Sequence, residues 1–397
     1  MHERLRISRV CQYWRGVVKG TTLLWREVDL EAYSRKIDKK SLEIIINITK
    51  DRIFKLSLKN CSLISDLKSL ITHRCRKMIS LNLSGTRVGS SALIDALKCM
   101  GKSLQELILV DTRTDDLCLR RIFDICRDLK VLNVSKCPLI TNEGFTICDK
   151  FKQANVSLTL VELQVTHMPD LSNITISRLV NAAPSICGID LTGCSKISSH
   201  VLNILAQYSG WKWMVFGGNS FTSTEFKQNF CKLISICSNL ERLELPNTPH
   251  LDDSMLLVIG KSCPKLGHIN FKGCAHISGA GLVKLSKLFL ININVSKCPK
   301  ISQDSILMLL ESNTCIQILE VSSVSDKLLE MVKQNVNMRS LSISDGSITN
   351  RGIIDLIEKP GIKWENLHFS NCQKLSREAV SHLSSLAKGC QVTAYFS

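Results

Sequence analysis

Eighteen cysteines and nine histidines are the reactive side chains this chain holds in number, and their spacing decides what chemistry they can do. Zinc is held by Cys-x-x-Cys pairs or close Cys/His clusters, and no Cys-x-x-Cys occurs. The cysteines are spread along the whole length without the compact spacing of a small secreted scaffold, which points to reduced thiols. The phosphate-loop, His-Glu-x-x-His and Gly-x-Ser-x-Gly patterns are absent. Gly279 and Gly281 in Ser-Gly-Ala-Gly read as a loop ahead of a helix, not a nucleotide cradle. Catalysis, metal and cofactor therefore have no candidate constellation, and the chemistry left is recognition. Its best candidates are Trp213, Arg242, Glu244, His268, Asn270 and Lys272, where an aromatic, an arginine and further charges, the usual anchors of protein interfaces, fall close together.

What positions them is a repeat. Thirteen times the chain shows apolar-x-x-apolar-x-apolar, with middle residues Leu56, Leu81, Leu107, Leu132, Leu163, Ile189, Met214, Leu243, Ile269, Ile293, Leu319, Leu341 and Leu367, spaced 22 to 31 residues apart. That is the leucine-rich-repeat range, and a unit this short must stack on its neighbours to bury its apolar side. The expected fold is an α/β leucine-rich-repeat solenoid, a right-handed horseshoe with parallel strands concave and helices convex. Val28–Leu30 is a possible first strand and Val392–Phe396 a closing one. After most strands an apolar residue precedes a hydroxyl or acid, as in Ile64-Ser65, Leu171-Ser172, Leu251-Asp252 and Ile277-Ser278, each read as a helix N-cap. Cys61, Cys137, Cys194, Cys274, Cys298 and Cys372 each fall five residues after a middle mark, and are expected to be core residues.

Alternation along a strand turns the residues between the marks outward, so the recognition face can be read directly. The net charge of +16 invites a nucleic-acid reading, but residues 1–77 carry 18 Lys+Arg and 8 Asp+Glu, a net of +10, while the remaining 320 carry 33 and 27, a net of +6. On the strand face Lys55, Lys59, Arg242 and Lys272 stand against Glu106, Glu162, Asp190, Glu244 and Glu320, nearly neutral and without an aromatic ladder, so nucleic acid is not the expected partner. Apolar runs such as Leu42–Ile48 are too short to span a membrane, and the first residues contain no signal-peptide core. The sequons at Asn47, Asn82, Asn133, Asn155, Asn173 and Asn294 would matter only in a secreted protein. Gly217–Thr222, in the 29-residue repeat, reads as a flexible segment able to fold over a bound peptide.

Ahead of the repeats stand Leu5-Arg6-Ile7-Ser8-Arg9-Val10-Cys11-Gln12-Tyr13-Trp14 and then Leu24-Trp25. The Val-Cys-x-x-Trp helix, the Leu-Trp and the short strand entering cysteine-containing repeats resemble the second half of an F-box followed by leucine-rich repeats. The family's opening helices, which begin Leu-Pro-x-Glu, would precede Ile7. The resemblance implies residues 1–30 as a partial F-box and 31–397 as the repeat domain. It implies adaptor contacts from Leu5, Ile7, Val10, Cys11, Trp14 and Trp25 to a Skp-type protein, and through it a cullin. The function so implied is a non-catalytic substrate receptor of a cullin-based ubiquitin ligase, cytoplasmic or nuclear. A ligase-independent repeat scaffold is the alternative, and an extracellular receptor lacks a signal and a membrane span.

Overall fold

The computed structural model describes residues 25–49, 52–72, 75–219, 221, 223–387 and 389–396. By compactness the chain forms two units, Met1–Val201 and Leu202–Ser397. The first holds strands β1 (Glu27–Asp29), β2 (Lys55–Ser57), β3 (Ser80–Asn82), β4 (Glu106–Ile108), β5 (Val131–Asn133), β6 (Glu162–Gln164) and β7 (Gly188–Asp190). The second holds β8 (Trp213–Val215), β9 (Arg242–Glu244), β10 (His268–Asn270), β11 (Asn292–Asn294), β12 (Ile318–Ser322), β13 (Ser340–Ser344), β14 (Asn366–Ser370) and β15 (Gln391–Tyr395). Within each unit every strand pairs in parallel with its sequence neighbours. Most repeats carry a helix after the strand, and successive helices pack on one another. This is a leucine-rich-repeat α/β solenoid.

The register explains why the spacing is so regular. Each middle mark is the second residue of its strand and faces the middle mark of the next, as Leu56 faces Leu81 and Leu81 faces Leu107. Every marked side chain is buried, Trp364 being the most exposed at 9%. Each such aliphatic contributes roughly 1.5–3 kcal/mol relative to leaving it in water. Removing one leaves a hole between neighbouring repeats.

Four residues after each middle mark the backbone turns through the left-handed region, from φ 53° at Asn371 to 73° at Gly273. Asn, Asp and Gly hold most of these corners because they tolerate that conformation best. The turn lets the corner N–H reach the next repeat, as Asn60 donates to the Ser84 carbonyl at 2.7 Å and Asn247 to that of Lys272 at 2.7 Å. One residue on, the cysteines point back. Cys137, Cys194, Cys274 and Cys298 donate their thiols to the carbonyls of Leu109, Val165, Leu245 and Phe271 in the preceding repeat, at 3.0, 2.9, 3.1 and 3.1 Å. Burial pushes the Cys194 thiol up to about 11 and that of Cys274 to about 12.

Of the nine expected caps, Thr141, Ser198, Asp252, Ser278, Ser302, Thr349 and Ser376 accept from the first helical turn. Two differ. Asp66, not Ser65, accepts from Lys68 N–H at 3.1 Å, because that helix starts later, at Lys68. Ser172 makes no cap bond and instead donates to Asn142 Oδ1 at 3.2 Å. That contact belongs to a recurring clamp. The residue after one repeat's cap grips the next repeat's cap: Asp116 accepts from Thr141 N–H and Oγ1, Asp253 from Ser278, and Asp326 from Thr349, all at 2.6 to 2.8 Å. Gly144, Gly281 and Gly352 face those three carboxylates, and a Cβ at any of them would collide with the acid. Gly281 is therefore a packing glycine inside the helix Gly279–Val283.

Candidate protein-docking face

The recognition candidates come together on the second unit's open strand face. Trp213, Arg242, His268 and Asn292 are register partners in one row, and Val215, Glu244, Asn270, Asn294 and Glu320 form the next. Met214, Leu243 and Ile269 between them are buried, so alternation sends the rows outward. Trp211 and Phe216 are marked positions and fully buried, on the core side of this repeat. Trp211 donates its indole N–H to the Leu205 carbonyl at 3.0 Å. Trp213 is half-buried on the open side.

The charged members do not act singly. Glu244 Oε1 accepts from Arg242 at 2.5 Å and Oε2 from Asn270 Nδ2 at 3.2 Å, so both oxygens are engaged. Asn270 Oδ1 accepts from Lys272 N–H at 3.1 Å, closing the turn at the strand end. Asn82, Asn133 and Asn294 make the same turn, which is why asparagine recurs here; Asn294 also donates to Glu320 at 2.7 Å. Lys272 has no carboxylate at ion-pair distance among the described residues. Burial, and then the Arg242 charge, hold the His268 imidazole below its ordinary 6.5, while burial raises Glu320 above its ordinary carboxylate value. The patch thus presents Trp213, a guanidinium already tied to Glu244, an imidazole biased toward neutrality, and one lysine.

Three features of the face escaped sequence reading. Tyr395, 66% exposed, lies 5.5 Å ring to ring from His368, whose Nδ1 sits 2.8 Å from Thr393 Oγ1. Extending the repeat frame through Val392 puts Tyr395 at the position Lys272 holds in its own repeat, and that was the available signal. Next, β1 brings Glu27 and Asp29 onto the first unit's face, which adds two acids to the count of four bases and five acids read for the whole strand face. The sequence frame began one repeat too late to count them. Last, the segment expected to fold over a peptide is anchored at Phe221, which is buried and stacked 5.2 Å from Phe226, itself 5.5 Å from Phe230. Ser220 and Thr222 lie outside the described residues.

Of the adaptor candidates, Leu5, Ile7, Val10, Cys11 and Trp14 lie outside the described residues, and Trp25 is buried at 1%. Among the described residues no group of three or more His, Cys, Asp or Glu side chains converges as a metal site, and no helix is long and apolar enough to cross a membrane.

No family model matches the chain. It is 23% identical over 262 residues to the F-box/TPR repeat protein pof3 of Schizosaccharomyces pombe, covering 63% of this chain and 40% of that protein. It is 23% identical over 172 residues to F-box/LRR-repeat protein 4 of Bos taurus, covering 41% and 27%. The chain thus spans less than half the length of these relatives. Among solved structures it superposes on that of the yeast Rad7 and Elc1 complex with a TM-score of 0.68 at 15% identity, covering 91% of each chain. Both of these sequence relatives are F-box proteins at low identity, and no enzyme family is indicated.

Proposed function

We propose that this chain is the substrate-recognition subunit of a cullin-based, SCF-type ubiquitin ligase, holding a protein target on its strand face while its N-terminal segment engages a Skp-type adaptor. The observation that carries the reading is the pairing of F-box relatives with a solenoid whose open face presents anchor side chains. Such a subunit needs no reacting groups of its own. It has to bind two proteins at once, and a stacked array of rigid repeats offers a long, preformed surface for that at low entropic cost. The structural neighbour was itself solved as a complex of two proteins. The chain would work in the cytoplasm or nucleus, with residues 1–30 as the adaptor segment and 31–397 as the receptor.

The test is a pull-down of this chain with a Skp-type adaptor and cullin, beside affinity capture of targets with the proteasome blocked. Adaptor binding, and target capture lost on Trp213→Ala/Arg242→Ala/Lys272→Ala, are the expected results. Target capture without any adaptor would replace the reading with that of a ligase-independent scaffold.

A further inference from the structure

The first unit's strand face has a sign opposite to the chain that carries it. In its two outward rows, Glu27, Lys55, Ser80, Glu106, Val131, Glu162 and Gly188 run in register beside Asp29, Ser57, Asn82, Ile108, Asn133, Gln164 and Asp190. Five of these side chains are carboxylates and one is an ammonium, on a protein of net charge +16. That single lysine is neutralised in place, Lys55 Nζ lying 2.8 Å from Glu27 Oε1. The next base along the face, Lys59, is likewise paired to Glu31 at 2.9 Å. Independently of charge, the same face is hollowed into an open cleft of about 420 Å³ across β1 to β4, lined by Glu27, Asp29, Lys55, Ser80, Asn82 and the half-buried Ile108.

We infer that this face docks a lysine- and arginine-rich extended segment of a partner protein, with an apolar side chain of that segment seated against Ile108. The excess of carboxylates over ammonium groups on the face selects cations and repels phosphate backbones, and matching of opposite potentials sets both partner choice and association rate. The cleft and Ile108 supply what charge alone lacks, a place to bury an apolar side chain. Strands lie about 4.8 Å apart, so Asp29 to Glu162, five strands on, spans about 24 Å, the reach of about seven extended residues. Glu106 falls between them on β4, so bases near the start, middle and end of such a segment each meet a carboxylate. The surface is distinct from the Trp213 patch and does not depend on adaptor binding.

The probe is a fluorescein-labelled nonapeptide with lysines at both ends and the centre and one leucine beside the central lysine, titrated against the full chain by anisotropy. Its counterpart has glutamates for the lysines. The lysine peptide should bind. Its affinity should fall at least about tenfold, which is about 1.4 kcal/mol, in Glu106→Gln/Glu162→Gln. It should hold in Glu311→Gln/Glu330→Gln, which removes the same charge from exposed helical positions of the second unit. Thermal midpoints of both variants confirm that they fold, and the peptide comparison needs no variant at all. Absence of binding, equal weakening in both variants, or equal affinity for the glutamate peptide would each overturn the inference. Capture through the Trp213 patch is read separately, by Trp213→Ala.

Discussion

Asp253 and Gly281 offer the sharpest test of how one repeat is fastened to the next. The Asp253 carboxylate takes the Ser278 N–H at 2.7 Å and the Ser278 hydroxyl at 2.6 Å, across the boundary between two helices. Asp253→Ala strips a partly buried N–H of its charged acceptor, a loss of about 1.5–3 kcal/mol. Gly281→Ala drives a Cβ into the same carboxylate, with Asp253 Cγ only 2.7 Å away and Leu256 Cδ1 at 3.0 Å. Overpacking of that kind costs about 1–3 kcal/mol, partly offset by about 1 kcal/mol of helix propensity gained over glycine. Once the acid is gone, its two close contacts are gone with it, and Leu256 Cδ1 at 3.0 Å is the flexible end of a side chain. In the Asp253→Ala background, then, Gly281→Ala should be neutral or stabilising, and the pair should show a coupling of about 1–2 kcal/mol. Urea unfolding of the four proteins in the cycle measures this. For a unit of this size about 1 kcal/mol moves the thermal midpoint by about 2–4 °C, within easy reach of calorimetry. If the two changes add to within about 0.3 kcal/mol, the clamp is not what glycine makes room for.

Alkylation of the native protein should spare Cys194, Cys274 and Cys298, whose buried thiols are raised and bonded to carbonyls, while the exposed Cys315 labels at once; rapid modification of the first three would contradict the ladder. Because His268 is held below its ordinary 6.5, the unfolded chain protonates first on acidification. Stability should therefore be full above about pH 6.5, fall as pH drops through the interval beneath it, and fall less in His268→Gln, as pH-dependent unfolding will register. Trp25→Ala, at a site 1% exposed, should cost about 3–5 kcal/mol and loosen the start of the first unit in hydrogen exchange; an unchanged exchange pattern there would show that the indole holds nothing.

The thirteen-fold apolar frame determined the fold by itself, because a strand's middle residue must be apolar whatever its neighbours are, and each middle mark became the second residue of a strand. The buried cysteines were legible for the same reason, since a fixed offset from the strand fixes which way a side chain turns. The candidate patch was legible only as a set of side chains on one face. Whether Arg242 is free or spent on Glu244 depends on rotamers and cross-strand distances that no spacing encodes. The clamp from Asp253 to Ser278 and the glycine it requires were likewise invisible one repeat at a time, for the acid and the glycine come from different repeats and meet only when these stack. The sign of the first unit's face was a matter of tertiary structure too. Glu27 and Asp29 flank Val28 in Trp25-x-x-Val28-x-Leu30, which carries the apolar frame, but only the pairing of β1 with β2 sets them beside Lys55 and Ser57.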